Sequence, residues 1–289
     1  ARAQAPSPVE PVPHDRQPVA IFSKHLQWLD YEAAAMAAKE AGFDALDIPV
    51  RPNGHVLPVR VEEDLPRAVD AARNAVLDVT MNHTAITGVD DPHAEAVLKT
   101  AAGLGVGHYR MGYVRYDDGV RRTLDATVSR WRELAALNQG LGIRGGYQNH
   151  SGSNLGAAVW DLHRVLEEVA SPWVGCQYDI RHAVVEGAFS WVRDLEVIAP
   201  FVHTLVAKDF AWAPQDDGLK VLNVPFGQGL VPLGDFVAEL RRLALSAPFS
   251  MHFEYPHPET GRRAWAVEQY GRDVAALREA LASGSEVTS

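Results

Sequence analysis

The strongest constraint on this chain is an alternation that recurs eight times: a short apolar run, a polar loop, an amphipathic stretch, and then the next apolar run. The runs expected to form strands are Val19–Phe22, Ala45–Val50, Val76–Met81, His108–Tyr113, Ile143–Asn149, Val174–Ile180, Val202–Phe210 and Phe249–Tyr255. Helices are expected at Tyr31–Ala41, from about Asp64 with Pro66 in the first turn, and at Asp91–Leu104 and Leu124–Leu137. Four more are expected at Leu155–Val169, Ser190–Ile198, Leu233–Leu245 and Trp265–Leu281. Gly42 follows the first helix, where a left-handed residue that only glycine adopts cheaply ends the turn. Alternating strands and helices imply parallel crossovers, and so a barrel or a doubly wound sheet. The count of eight favours the barrel. So does the lack of a Gly-x-Gly-x-x-Gly turn after any strand, which also argues against a nucleotide cofactor. The expected fold is a single (β/α)8 TIM barrel.

Composition narrows the function classes. Of 289 residues, 47% are hydrophobic and 22% charged, enough apolar material for one large core. The barrel is expected to occupy 19–289, behind a Pro-rich lead-in over 1–18. No apolar run approaches the ~18 residues of a membrane helix. A net charge of −10 argues against a nucleic-acid partner, whose phosphates call for a basic surface. One cysteine, Cys176, excludes an intrachain disulfide and any cysteine-based zinc motif. Ala1-Arg2-Ala3 has the form of a signal-peptidase site followed by a polar spacer, so a periplasmic or secreted location is expected. The alternative is an Ala-rich terminus arising by chance on a cytoplasmic protein.

In such barrels the active site lies at the C-terminal ends of the strands. Polar residues crowd there: Lys24 and His25 after the first strand, Arg51 and His55 after the second, His83 after the third, Arg110 and Tyr113 at the fourth. Gln148, Asn149 and His150 end the fifth run; Asp179, Arg181 and His182 the sixth; Lys208 and Asp209 the seventh; His252 and Glu254 lie in the eighth. Folding alone calls for about one capping group per strand end, so this density points to chemistry. Structural alternatives stand beside it. His163 and His203 read as packing histidines, Asp209 as a cap, and Trp212 as either a pocket wall or a packing residue.

Several segments together carry a resemblance: Gly146-Tyr-Gln-Asn-His-Ser-Gly152, Tyr178-Asp-Ile-Arg-His182, Ala207-Lys-Asp-Phe210, Pro225-Phe-Gly-Gln-Gly229 and Phe253-Glu-Tyr255. In order and spacing they resemble the sugar phosphate isomerase/epimerase superfamily, with its xylose isomerase-like barrel. Ser23-Lys-His25 and Val50-Arg-Pro-Asn-Gly-His55 resemble an exported subset of it.

The resemblance implies one divalent metal held by residues of strands five to eight. Asp179 and Glu254 match two ligands. Gln148 stands where a Glu is expected and offers only a carbonyl oxygen, while Val206 stands where a His is expected and offers nothing. Mn²⁺ or Mg²⁺ is the implied ion, with Zn²⁺ as the alternative, and His150, His182 or His252 as a substitute ligand.

The implied chemistry is proton transfer beside a sugar carbonyl. Gln148 has no usable pKa, which argues against an epimerisation with two symmetric carboxylates. Glu254 is left as base, with Lys208, His182 or His150 as acid. Isomerisation and elimination or hydration on a keto-sugar or glycoside both fit. Lys24, His25, Arg51, His55, His83, Arg110, Arg181, His252 and Trp212 are the expected substrate contacts. The expected partner is a small-molecule sugar or derivative, without nucleic acid or membrane, and a homo-oligomer is compatible with the chain. The competing reading is a carbohydrate-binding barrel that has lost catalysis. A DNA-repair endonuclease of the same superfamily would need a multi-zinc cluster that Gln148 and Val206 interrupt.

Overall fold

The computed structural model describes residues 13–216 and 218–283. Eight strands pair in parallel and close on themselves: β1 (Val19–Phe22), β2 (Ala45–Val50), β3 (Asp78–Thr84), β4 (His108–Arg110), β5 (Arg144–Gln148), β6 (Val174–Asp179), β7 (Val202–Ala207) and β10 (Phe249–Met251). Closure is made by β1 beside β10, with Val19 opposite Phe249 and Ile21 opposite Met251. The expected (β/α)8 barrel is therefore the observed one. One addition lies outside it: β8 (Asp209–Gln215) and β9 (Gly218–Val224) form an antiparallel hairpin after β7.

Helices wrap the barrel where the amphipathic stretches occur. Helix α1 (Tyr31–Glu40) starts at Asp30, whose carboxylate accepts from the Ala33 amide at 2.7 Å, and its buried Ala34, Ala35, Ala37 and Ala38 let it approach the sheet closely. Between sheet and helices, Trp131, Tyr109 and Tyr147 are fully buried, and the Tyr109 hydroxyl donates to Asn138 at 3.1 Å. Gly175 on β6 is sterically required, because a Cβ there would come within 2.3 Å of the Phe201 carbonyl oxygen. No described helix is long and apolar enough to cross a membrane.

Several local expectations need correction. The fourth and eighth strands end at Arg110 and Met251, so Tyr113, His252 and Glu254 lie beyond them and not within them. Strand β3 runs to Thr84, so His83 lies within it; Val76 instead sits in an exposed left-handed turn (φ 58°). Helix α2 (Val61–Asn74) begins earlier than expected, with Glu62, Glu63 and Asp64 favoured by its N-terminal dipole, and Pro66 falls inside it. Strand β6 stops at Asp179 because that side chain accepts from the His182 amide and starts helix α6 (Ile180–Gly187), placing Arg181 and His182 on a helical turn. The seventh run divides at Lys208: β7 ends at Ala207, and Asp209 begins the hairpin.

The N-terminal end of the barrel is closed by the end of the lead-in. Phe249 donates its amide to the Pro18 carbonyl, and Gln17 donates its side-chain amide to the Ala247 carbonyl. Ala1-Arg2-Ala3 lies outside the described residues. A cleft opens on this face, between Asp78, His108, Arg144 and His203, away from the strand ends that carry the ionisable groups. His203 packs there as a structural histidine, its Nδ1 3.1 Å from the Gly145 carbonyl oxygen.

Burial, with His108 and Arg144 adding like charge, lowers the His203 pKa from 6.5 to about 3. The unfolded chain thus takes up the proton first, so stability is full above pH 6.5 and falls as pH drops toward 3. His203→Gln should flatten the decline in unfolding free energy between pH 7 and pH 5, read by urea titration, by on the order of 1 kcal/mol. Equal slopes for the two proteins would contradict this role.

Candidate active site

At the C-terminal mouth, the last residue of β6 and the residues just past β7 and β10 converge. Asp179 is fully buried, Lys208 is buried, and the Glu254 side chain is 31% exposed. The Lys208 Nζ lies 3.2 Å from Asp179 Oδ2, 3.6 Å from Glu254 Oε2 and 2.7 Å from His182 Nε2. Lys24, at the rim, approaches Glu254 Oε1 at 3.7 Å. The Lys208 ammonium is the main reason the Glu254 pKa sits at about 2, against burial that would raise it. Burial, and then Lys208, hold the His182 imidazole well below its ordinary range. It is a neutral acceptor toward Lys208, and its Nδ1 sits 2.8 Å from Ser151 Oγ. The His150 ring lies 3.8 Å from the His182 ring, and its pKa too is lowered by burial and Lys208.

Asp179 is tied from several sides. The Gln148 amide nitrogen donates to Asp179 Oδ2 at 2.7 Å, while its carbonyl oxygen accepts from the Tyr113 hydroxyl at 2.9 Å. Asn149 accepts from the Asp179 amide and donates to the Asp179 carbonyl. This arrangement does not fit the divalent cation expected between Gln148, Asp179 and Glu254. Gln148 turns its amide nitrogen, not its oxygen, to Asp179, and its oxygen is engaged by Tyr113. Val206 is fully buried and apolar. Lys208 already places a positive charge between the two carboxylates, where a divalent ion would face repulsion.

Deeper in the barrel lies a second group. The Phe22 ring stacks on His83 at 4.2 Å and lies 4.7 Å from the His252 ring. His83, His252 and Asp47 are all buried. Burial raises the Asp47 pKa to about 7, although its Oδ2 accepts from Ser250 Oγ at 2.8 Å. Arg110 donates to the Thr84 carbonyl and lies over the Tyr113 ring at 3.8 Å, and Arg51 lies 5.5 Å from the Phe22 ring centre.

The expected site residues divide accordingly. Glu254, Lys208, His182, His150, Asp179, Gln148 and Lys24 form the mouth cluster, and Arg51, His83, Arg110 and His252 gather below it. His25 joins the walls but is committed, since its Nε2 accepts from the Phe253 amide at 2.9 Å. Arg181 holds the hairpin over the site, donating to Ser151 and, at 2.8 Å, to Asn223. His55 does not join: its Nε2 meets the Leu29 carbonyl oxygen at 3.0 Å and its ring packs on Tyr31. Trp212 lies on the hairpin, 44% exposed, edge-on to Phe210. Asp209 is the cap its alternative reading supposed, accepting from the amides of Gly227, Gly229 and Val231. Sequence reasoning passes over Asp47, Phe22, Ser151 and Asn223. Of these only Asp47 carries a signal, as a lone carboxylate within an apolar run.

A family model described as a xylose isomerase-like TIM barrel matches residues 35–280. No curated protein sequence matches the chain. Among solved structures, a D-psicose 3-epimerase with D-tagatose from Clostridium cellulolyticum H10 superposes with a TM-score of 0.71 at 14% identity, over 91% of this chain and 99% of that one. A probable 3-DHS dehydratase from Bacillus anthracis gives 0.69 at 16% identity, over 90% and 98%. A xylose isomerase-like TIM barrel protein from Mycobacterium smegmatis in complex with magnesium gives 0.69 at 14% identity, over 94% and 100%. Identities this low establish a shared fold.

The ion cluster makes one direct prediction. Lys208→Met removes the charge that holds Glu254 at about 2, so the Glu254 pKa should rise toward or above 4.5. Carboxyl-carbon NMR titration reads this, with Glu254→Gln identifying the resonance. An unshifted Glu254 would show that Lys208 is not its controlling partner.

Proposed function

Because the chain belongs to the xylose isomerase-like TIM barrel family, we propose that it is a sugar-active enzyme that moves a proton on the carbon beside a carbonyl, with Glu254 as base and Lys208 as the cation at the carbonyl oxygen. The observation carrying this reading is the buried Lys208 ammonium between Asp179 and Glu254, where the superfamily resemblance implies a metal. In water an ammonium is a weak electrophile; in a desolvated pocket, fixed by a carboxylate, it stabilises a developing enolate strongly.

Glu254 takes the proton from carbon as the carbonyl oxygen gains negative charge against Lys208 Nζ. An empty site leaves Glu254 a poor base, because Lys208 holds its pKa at about 2. As Lys208 shares its proton with the enolate oxygen, its positive charge is partly cancelled and Glu254 regains basicity. His182, in contact with Lys208 through Nε2, carries a proton between that nitrogen and the mouth. Asp179, Gln148 and Asn149 hold the pair in register. Gln148 has no titratable proton to exchange with carbon, so the two faces of the substrate are not treated symmetrically.

From a shared enediolate, return of the proton to the neighbouring carbon, with the hydroxyl proton passing from one oxygen to the other through Lys208, gives aldose–ketose isomerisation; departure of a β-hydroxyl as water, with a proton supplied by Lys208, gives elimination. A sugar epimerase and a probable dehydratase among the structural neighbours support the sugar-active enzyme class. The substrate class is a keto-sugar, aldose or glycoside.

The test is solvent deuterium incorporation beside the carbonyl across a panel of ketoses, aldoses and 3-keto-glycosides, followed by NMR. Wild type should exchange at least one member. Glu254→Gln and Lys208→Met should each slow exchange by at least about 10²-fold, with unchanged circular dichroism. Exchange that survives Glu254→Gln would remove Glu254 as the base. Saturable sugar binding without any exchange would favour the binding barrel instead.

A further inference from the structure

The deeper polar group holds an unresolved account. Among the described residues, the buried side-chain atoms without a hydrogen-bond partner include Asp47 Oδ1, His83 Nδ1 and His252 Nε2. These come from β2, β3 and the residue just after β10, yet ligand-capable atoms of the three all lie within 4.8 Å of one another. Each side chain is more than nine-tenths buried. A buried polar atom left unpaired is costly, and three such residues with ligand-capable atoms within 4.8 Å of one another are not a by-product of packing.

The geometry also prepares the group for a shared partner. Ser250 occupies Asp47 Oδ2 and leaves Oδ1 free. His83 Nδ1 stands 3.9 Å from Asp47 Oδ2, too far for a hydrogen bond to satisfy either. Phe22 lies against both imidazole rings and fixes their planes. Two imidazoles and one carboxylate are the donor set of a three-ligand zinc site.

We propose that Asp47, His83 and His252 form a site for a divalent transition-metal cation, Zn²⁺ in the first instance, deeper in the barrel than Lys208 and Glu254. The site is distinct from the cation position between Asp179 and Glu254, and it does not depend on the catalytic reading above. Arg110, Arg51, Lys24 and Lys208 all act electrostatically on this group. Their positive charge disfavours Mg²⁺, which is held by charge on oxygen alone, and selects an ion that gains from imidazole nitrogen. Tetrahedral ligation brings donor atoms to about 3.3 Å from one another, so loading draws the three side chains together by small rotations.

The test is zinc titration of chelator-treated, full-length protein by competition with a chromophoric chelator. Wild type should bind one equivalent of Zn²⁺. Asp47→Asn and His252→Gln should each weaken binding by more than about 100-fold, while Asp179→Asn should not. Mg²⁺ should not compete. X-ray absorption on zinc-loaded wild type needs no variant to fold and should show two imidazole ligands. No stoichiometric zinc in wild type, an all-oxygen shell, or binding lost in Asp179→Asn and kept in both deep-site variants would each overturn the proposal.

Discussion

The whole arrangement rests on closure of the sheet. Pairing of β1 with β10 removes both edges that an open parallel sheet would leave, and it forces eight strand ends onto one ring. Residues far apart in the chain then share a space a few ångströms wide: Asp47 with Ser250, His25 with Phe253, Lys208 with Asp179 and Glu254. The polar interior is bearable only because the barrel wall around it is apolar and complete. At the opposite end, Gln17 and Pro18 seal the ring, and His108 and His203 pack there without any tie to the chemistry.

Within that ring, electrostatics decides what the mouth can do. Asp179 and Glu254 bring two negative charges, and Lys208 returns one positive charge from between them. Removing one member of a buried ion cluster costs roughly 3–5 kcal/mol, since the partner charge stays behind unpaired. A lysine here is therefore both a structural keystone and the strongest electrophile in reach of a substrate oxygen. Gln148 completes the change: a carboxylate in its place would pull Lys208 and Asp179 apart, whereas the amide donates to Asp179 and leaves the Lys208–Glu254 contact intact.

The barrel is legible in the sequence because its signals are periodic and repeated. One misplaced boundary, such as β3 beginning at Asp78 instead of Val76, does not alter the count. Two features escape because apolar residues run across the true break. Ile180 after Asp179 reads as more strand, though Asp179 is a helix cap; Phe210 after Asp209 reads likewise, though a hairpin begins there. In the site, ionisable residues at strand ends are legible by position, which is how Asp179, His182, Lys208 and Glu254 emerge. Their mutual geometry is not. No one-dimensional pattern says which way the Gln148 amide faces, or that the Lys208 ammonium fills the place of a metal. His55 follows a strand as the others do, but its loop turns it toward Leu29, and Trp212 lies within β8 against Phe210.

The central claim is that a lysine, not a divalent ion, supplies the positive charge at the mouth. A crystal structure of the wild-type protein grown with millimolar Mn²⁺, with anomalous diffraction, tests it most directly. The result expected is the Lys208 Nζ between Asp179 and Glu254, with no anomalous peak at that place. A manganese peak between the two carboxylates, with Lys208 displaced, would contradict it.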